Sequence, residues 1–397
     1  MKHGLLLIAS LMIALAACGG GSPVVQNTTP PESVKIPFLT LEGGSYEIGR
    51  EHGRQLREEI REVIGIWKTS FAKAYNVHPD SFVTALLKET DYTSAIKRNT
   101  PWLLSEVRGI ADGAGLDFNS VLAFQLLDES GLNGERVMAD KCSALGVDHN
   151  ENGPAIVAQN MDLEGWRNGY QVVLHIKNAD TGIEQLVFTC AGLIATNGMN
   201  DQGLGVVVNA LTQLDHQLSG LPVAYVIRGL LEQPDQGAAV DFINGITHAS
   251  GQHYMIGSPG RVVGFECSHG EVVRYAPENI PGAIFHTNHP FANDDYTDQY
   301  RAELTSGKDP AEMDVNSVTR FTTVEKMLSE SAGHYNSELA KQILSSGHPE
   351  HPVCQPYKGP ENVHTFGSAV MVLGDTLEMH ISKGPPDSLG YELYRFN

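Results

Sequence analysis

The stretch "MADKCSALGV", residues 138–147, sets a lone cysteine, Cys142, between the charged pair Asp140–Lys141 and a short apolar run. A thiol in that setting can be a small buried hydrophobe, half of a disulfide, or a nucleophile that attacks as its thiolate. Polar side chains recur at the ends of nearby apolar runs. In "AIVAQNMDLEGW" Gln159, Asn160 and Asp162 cluster at the expected tip of a strand, from which a hairpin could turn them toward Cys142. Asn209 in "NGMNDQGLGVVVNAL" and Asn288 in "IFHTNHPF" stand at strand ends in apolar surroundings, where an amide needs a partner. Asn and Asp also favour ordinary turns, because their side chains bond the local backbone, so spacing alone leaves the site open. His286 and His289 could form a metal pair, and the chain has 16 histidines. No H-E-x-x-H helix or carboxylate-rich segment accompanies them, so neither a metal nor another cofactor is expected.

These residues must be positioned by elements that the apolar spacing predicts. Leu56, Ile60, Val63, Ile64, Trp67 and Phe71 recur at threes and fours, which predicts one amphipathic helix over residues 50–71. Thr100 and Pro101 read as the start of another helix that Gly113 closes, and "SVLAFQLLD" starts a third. From Cys142 the period becomes two: "CSALGV", "AIVAQN", "YQVVLHIK", "EQLVFTC" and "GLGVVVNA" read as strands separated by Asn, Gly and Asp. Pro222 opens a helix with Val223, Val226, Ile227, Leu230 and Leu231 on one face, and "AAVDFINGI" repeats the pattern. Strands return in "RVVGFEC", "EVVRY" and "AIFHTN", helices in "SVTRFTTVEKMLSE" and "SELAKQILSS", and the chain ends on "SAVMVLG" and "LEMHIS". Blocks of antiparallel strands between blocks of helices predict an α+β chain with two packed sheets covered by helices on both outer faces. The expected division is a helical segment over 37–141 followed by the sheet-bearing segment 142–397.

The chain has 397 residues, 41% of them hydrophobic, enough for a large core. Its net charge of −20 repels phosphate backbones and anionic headgroups, which argues against nucleic acid as a partner. Lys2 and His3 precede an apolar stretch, Gly4 to Ala17, that is too short to span a hydrocarbon core of about 30 Å. Residues 1–17 therefore read as a signal peptide. "LAAC" resembles the lipobox of bacterial lipoproteins, in which Cys18 is lipidated and becomes the first mature residue. Residues 18–36 then form a Gly-, Ser- and Pro-containing tether. With Gly19 after the cysteine, the resemblance favours an outer-membrane or cell-surface address, and contact with the membrane only through the lipid. Export permits disulfides, and Cys142, Cys190, Cys267 and Cys354 allow at most one or two, whose pairing the sequence leaves open.

The ordered set "SYEIGREHGRQL", "VRGIADGAGLDF", "KCSALGV", "AQNMD", "NGMNDQGLGVVVNAL", "FHTNHPF" and "SVTRF" resembles the isopenicillin N acyltransferase family of N-terminal-nucleophile enzymes, and more distantly penicillin V acylase and bile salt hydrolase. The resemblance runs from about Pro37 to the C-terminus. It implies a four-layer αββα sandwich and self-cleavage between Lys141 and Cys142, which leaves two chains as a heterodimer. It implies that Asp162 holds the new α-amine and that Asn288 is the side-chain donor of the oxyanion hole. Asn209 stands beside the backbone donor, the N–H of Ala210. Ser317 and Arg320, in "NSVTRF", match positions that support the network around the nucleophile; read alone they could be solvated helix residues. Two positions depart from the pattern. Lys141 stands where relatives often have Gly, and Gln159 replaces the Arg of bile salt hydrolases.

The resemblance implies a cysteine amidohydrolase or acyltransferase acting on a small N-acyl amide or acyl-thioester through an acyl-thioester on Cys142, without a cofactor. Hydrolysis is favoured over transfer, because acyl-CoA is scarce outside the cytoplasm. Trp166 and Tyr170 are expected either to line the pocket or to pack in the core. A surface-tethered binding protein with the same fold and no chemistry is the alternative.

Overall fold

The computed structural model describes residues 35–129 and 142–396. The signal segment, Cys18, nearly all of the tether and Lys141 lie outside the described residues. One sheet has eight strands in the spatial order β1 (Phe38–Gly43), β4 (Gln171–Asn178), β5 (Glu184–Cys190), β6 (Asn197–Asn200), β7 (Gly205–Ala210), β8 (Gln252–Gly257), β9 (Val262–Cys267) and β10 (Val272–Tyr275). The other has six: β11 (Ala283–His286), β2 (Ser143–Val147), β3 (Ala155–Glu164), β12 (Val363–Leu373), β13 (Leu377–Ser382) and β14 (Glu392–Tyr394). Helices α1 (Ser45–Gln55), α2 (Arg57–Ala74), α3 (Pro79–Glu89), α4 (Tyr92–Asn99), α5 (Pro101–Ala114), α6 (Phe118–Phe124), α7 (Val223–Leu231) and α8 (Gln236–Gly245) lie on the eight-stranded side. On the six-stranded side α11 (Val315–Glu330) packs on β11 and β2, and α12 (Ser337–Leu344) on β12 and β3. The short helices α9 (Asp298–Thr305), α10 (Pro310–Met313) and α13 (Pro386–Leu389) complete the set. This is the αββα sandwich that the sequence predicts.

Two apolar faces meet between the sheets so closely that some strand positions admit only glycine. A Cβ on Gly146 of β2 would sit 2.7 Å from Met255 Sδ, and one on Gly257 of β8 would sit 2.3 Å from Val157 of β3. Gln159, between them in β3, satisfies its buried amide across the gap: Nε2 donates to the Val208 carbonyl and Oε1 accepts from Asn197 Nδ2.

The N-terminal segment departs from an all-helical reading. Its β1 pairs in parallel with β4, from Phe38 opposite Val173 to Gly43 opposite Asn178. Leu39 and Leu41 are buried while Phe38 and Thr40 face outward, a period-two signal confined to six residues. The helix expected over 50–71 is two, with a kink at Leu56, although one apolar stripe runs through both. Gly113 does not close α5; Gly115, with φ +66°, does. Gly113 instead serves a crossing of α1 and α5 in which Gly49, Gly53, Gly109 and Gly113 bring the backbones together. A Cβ on Gly49 would lie 1.9 Å from the Glu106 carbonyl oxygen, and one on Gly109 2.2 Å from that of Tyr46.

Cys142, Cys190, Cys267 and Cys354 are all buried, and no two of them form a disulfide. No helix among the described residues is long and apolar enough to cross a membrane.

Candidate active site

Cys142 enters the six-stranded sheet just ahead of β2 and is 2% exposed. β2 pairs with β3 so that Ser143 faces Asn160, which puts Cys142 beside Met161, with 3.6 Å between the two sulfurs. β3 does not end in a polar tip at Asp162; it runs on to Glu164, with Met161, Asp162 and Leu163 all buried. Successive side chains of β3 therefore point to opposite faces. Gln159 and Met161 face the other sheet, whereas Asn160 bonds the carbonyls of Leu344 and Val353 beneath the helix layer. Asp162 is fully buried, and its Oδ1 accepts from Thr365 Oγ1 at 2.7 Å. Thr365 stands in β12 next to a register shift between Thr365 and Gly367.

Arg320 joins the remaining groups. Its guanidinium is buried, and Nη1 donates to the Cys142 carbonyl oxygen at 2.6 Å and to Ser143 Oγ at 2.9 Å. Nη2 donates to Asn288 Oδ1 at 2.9 Å, and Nε to Asn316 Oδ1 at 2.9 Å. Burial lowers the pKa of Arg320, with the charges of Asp162, Cys142 and Asp314 acting in the opposite sense; a guanidinium stays protonated throughout. Because Arg320 occupies Oδ1, the amide of Asn288 turns Nδ2 toward the end of β7, where it donates to the Ala210 carbonyl at 3.0 Å. Ser317 is buried rather than solvated. Its Oγ accepts from the Asn288 backbone N–H at 2.7 Å and lies 2.8 Å from His289 Nδ1, and Asp314 caps its helix. Asn209, one residue before Ala210, is fully buried, with Oδ1 3.5 Å from His253 Nδ1.

Structure thus brings Cys142, Asn288, Ala210, Ser317 and Arg320 into one hydrogen-bonded cluster. His286 and His289 do not converge: His286 bonds Glu266 and the Thr287 carbonyl, and His289 faces Ser317. Among the described residues no group of three or more His, Cys, Asp or Glu side chains could hold a metal ion.

Residues 149–378, more than half of the chain, match the model of the acyl-coenzyme A:6-aminopenicillanic acid acyl-transferase family. The chain belongs to this family. The acyl-transferase match contains Asp162, Asn209, Asn288, Ser317 and Arg320, and Cys142 precedes its first residue. Membership makes the chain a member of a family of acyl-transferring enzymes. Among solved structures it is similar to a Caenorhabditis elegans N-acylethanolamine-hydrolyzing acid amidase ortholog, at 17% identity over 64% of this chain and 100% of that one, TM-score 0.42. It is also similar to a variant of conjugated bile acid hydrolase from Clostridium perfringens, at 14% identity over 64% and 97%, TM-score 0.41. Penicillin V acylase from Agrobacterium tumefaciens gives 15% identity over 64% and 84%, TM-score 0.39. No curated protein matches the chain.

In this acyl-transferase family member a cavity of about 30 Å³ lies against Cys142, about the space of one water. Its walls include Met161, Leu163, Val208 and Ala210, together with Leu127 and Asp128 of the N-terminal segment. Arg167 contributes to it, whereas Trp166 and Tyr170 pack against the core. Thr365, Ser143 and Met161 touch the site and escape a sequence reading, since none interrupts the apolar alternation of its strand.

Proposed function

We propose that this chain is a self-processing cysteine amidohydrolase that cleaves a small linear N-acyl amide. The observation that carries the reading is the Arg320 guanidinium, which ties the Cys142 carbonyl, Ser143 Oγ and Asn288 Oδ1 into one buried cluster. Scission of the Lys141–Cys142 bond turns the Cys142 nitrogen from an amide into an amine. A free α-amine has a pKa of about 7.7–8.0 and a free thiol about 8.5, so the new amine can take the thiol proton near neutrality. Asp162 stabilises the resulting ammonium. The thiolate attacks the substrate carbonyl, and the oxyanion rests on Asn288 Nδ2 and the Ala210 N–H, with Asn209 beside them. The ammonium then protonates the leaving amine, and water releases the acyl group from its thioester.

In the uncut chain Asn288 Nδ2 is committed to the Ala210 carbonyl, and the cavity beside Cys142 has room for about one water, so binding of an acyl group requires its walls, Leu127 and Asp128 among them, to move. The parallel pairing of β1 with β4 supports a heterodimer that outlasts the cut. The "LAAC" motif supports lipidation at Cys18 and an outer-membrane or cell-surface address. At such an address hydrolysis prevails over transfer.

Intact-mass and N-terminal analysis of purified protein, followed by a screen of N-acyl amides, tests the reading. A fragment beginning at Cys142 is expected, with Cys142→Ala uncut and inactive and Cys142→Ser cut slowly. An active Cys142→Ala protein overturns the assignment, and an intact, inert wild-type chain favours a binding protein.

A further inference from the structure

Behind the two asparagines lies a buried group of ionisable side chains that the mechanism above does not use. Glu266 of β9 is fully buried, and its carboxylate accepts four hydrogen bonds: His286 Nε2 and the backbone N–H groups of Phe291, Ala292 and Asn293, each at 2.8 Å. These partners flank Asn288 on both sides, so one carboxylate clamps the segment 286–293 that carries it. An oxygen acceptor faces each ring nitrogen of His286, Glu266 at Nε2 and the Thr287 carbonyl at Nδ1.

His286 stacks face to face on His253 of β8, with ring centroids 4.0 Å apart and planes 7° from parallel. Tyr275 meets both rings edge-on, at 5.6 and 5.0 Å. Gly264 makes room for this arrangement, since a Cβ there would lie 2.8 Å from His253 Nε2. Burial, and then the charge of His286, hold the His253 pKa well below its ordinary value, so His253 is neutral. A neutral ring that faces Asn209 Oδ1 with Nδ1 does so as a donor. Asn209 Nδ2 has no partner among the described residues, and its amide is therefore oriented from the Oδ1 side alone.

We propose that Glu266, His286 and His253 form a positioning device for the active site, in which Glu266 and His286 fix the segment bearing Asn288 and His253 fixes the amide of Asn209. The device holds the ends of β7 and β11, which belong to different sheets, at one spacing. It rests on the proposed catalytic roles of Asn288 and Asn209. The three residues act through the two asparagines.

The test is steady-state kinetics on the full-length protein carrying His253→Phe, His253→Asn or Glu266→Gln, with melting temperatures measured in parallel. His253→Phe keeps the stacked ring and removes the Nδ1 donor. It should lower kcat roughly tenfold, since small misplacements of reacting groups cost up to about 100-fold, with KM changed less than about threefold and melting unchanged. His253→Asn returns an amide donor near the place of Nδ1 and should recover part of the loss. Glu266→Gln sets an amide donor against backbone donors and should lower kcat further. If Glu266→Gln fails to fold, His253→Phe decides alone. A folded His253→Phe with wild-type kcat, beside an inactive Cys142→Ala, overturns the positioning role and leaves the nucleophile standing; an active Cys142→Ala removes both.

Discussion

Arg320 Nη1 donates to the carbonyl oxygen of Cys142 at 2.6 Å, across 178 positions of sequence. The carbonyl belongs to the proposed nucleophile, and the same guanidinium holds Asn288 by its oxygen. A lysine has one compact ammonium and lacks the planar fork that meets four oxygens at once. Arg320→Lys should therefore slow both appearance of the fragment beginning at Cys142 and turnover of an N-acyl amide, by about 100-fold. Intact mass against time, beside turnover of the already cut fraction, checks the two effects; wild-type rates in both would discard the role.

Glu106 of α5 and Arg228 of α7 form a fully buried bidentate pair, at 2.6 and 2.9 Å. Burial pushes the Glu106 carboxyl up despite the guanidinium beside it. Removing one partner leaves the other charge stranded, at a cost of about 3–5 kcal/mol. Glu106→Gln should lower the urea midpoint accordingly, and a cut protein carrying it should lose its N-terminal chain on gel filtration in mild urea. An unshifted midpoint would contradict the pairing.

Two glycine-to-alanine changes should act in opposite directions. Gly109→Ala drives a methyl into the Tyr46 carbonyl at the α1–α5 crossing and should destabilise the protein by about 1–3 kcal/mol. Gly65 is exposed within α2 and has open space where a Cβ would stand, so Gly65→Ala should add about 0.8–1 kcal/mol. Thermal melts of the pair settle it; equal shifts would mean that the helices do not cross as described.

Burial above all holds His52 down to about 3 and His248 and His289 to about 4. Unfolded, these rings titrate near 6.5. Below that value the unfolded chain binds protons that the folded chain refuses, so stability is full above about pH 6.5 and falls as pH drops toward 4. Glu51, held near 2 by Arg54 first of all, adds its loss only below the ordinary carboxylate range of about 4.3. A urea midpoint lower near pH 5 than near pH 7 is the expected result, and a flat profile would contradict it.

Most of the sandwich is legible in the sequence, because its strands alternate or run apolar over five residues or more and its helices carry apolar stripes. The exceptions are short or polar. β6, "NGMN", has one apolar residue in four and is held by pairing with β5 and β7. β8, "QHYMIG", opens on Gln252 and His253, whose burial depends on partners distant in sequence. Asn209 and Asn288 are legible as amides at strand ends. Asp162 reads as the tip of a strand because its pairing with Thr365, 203 residues away, is invisible locally. Ser317 and Arg320 sit on a helix whose polar residues look solvated until the sheet beneath them supplies carbonyl and hydroxyl partners.

The parallel pairing of β1 with β4 gives scission an outcome of its own. With the proposed cut before Cys142 made, the eight-stranded sheet would be woven from two polypeptides, and unfolding would release both into solution. Renaturation would then be a second-order encounter that dilution defeats, and a cut enzyme would survive by the height of its unfolding barrier rather than by reversible equilibrium.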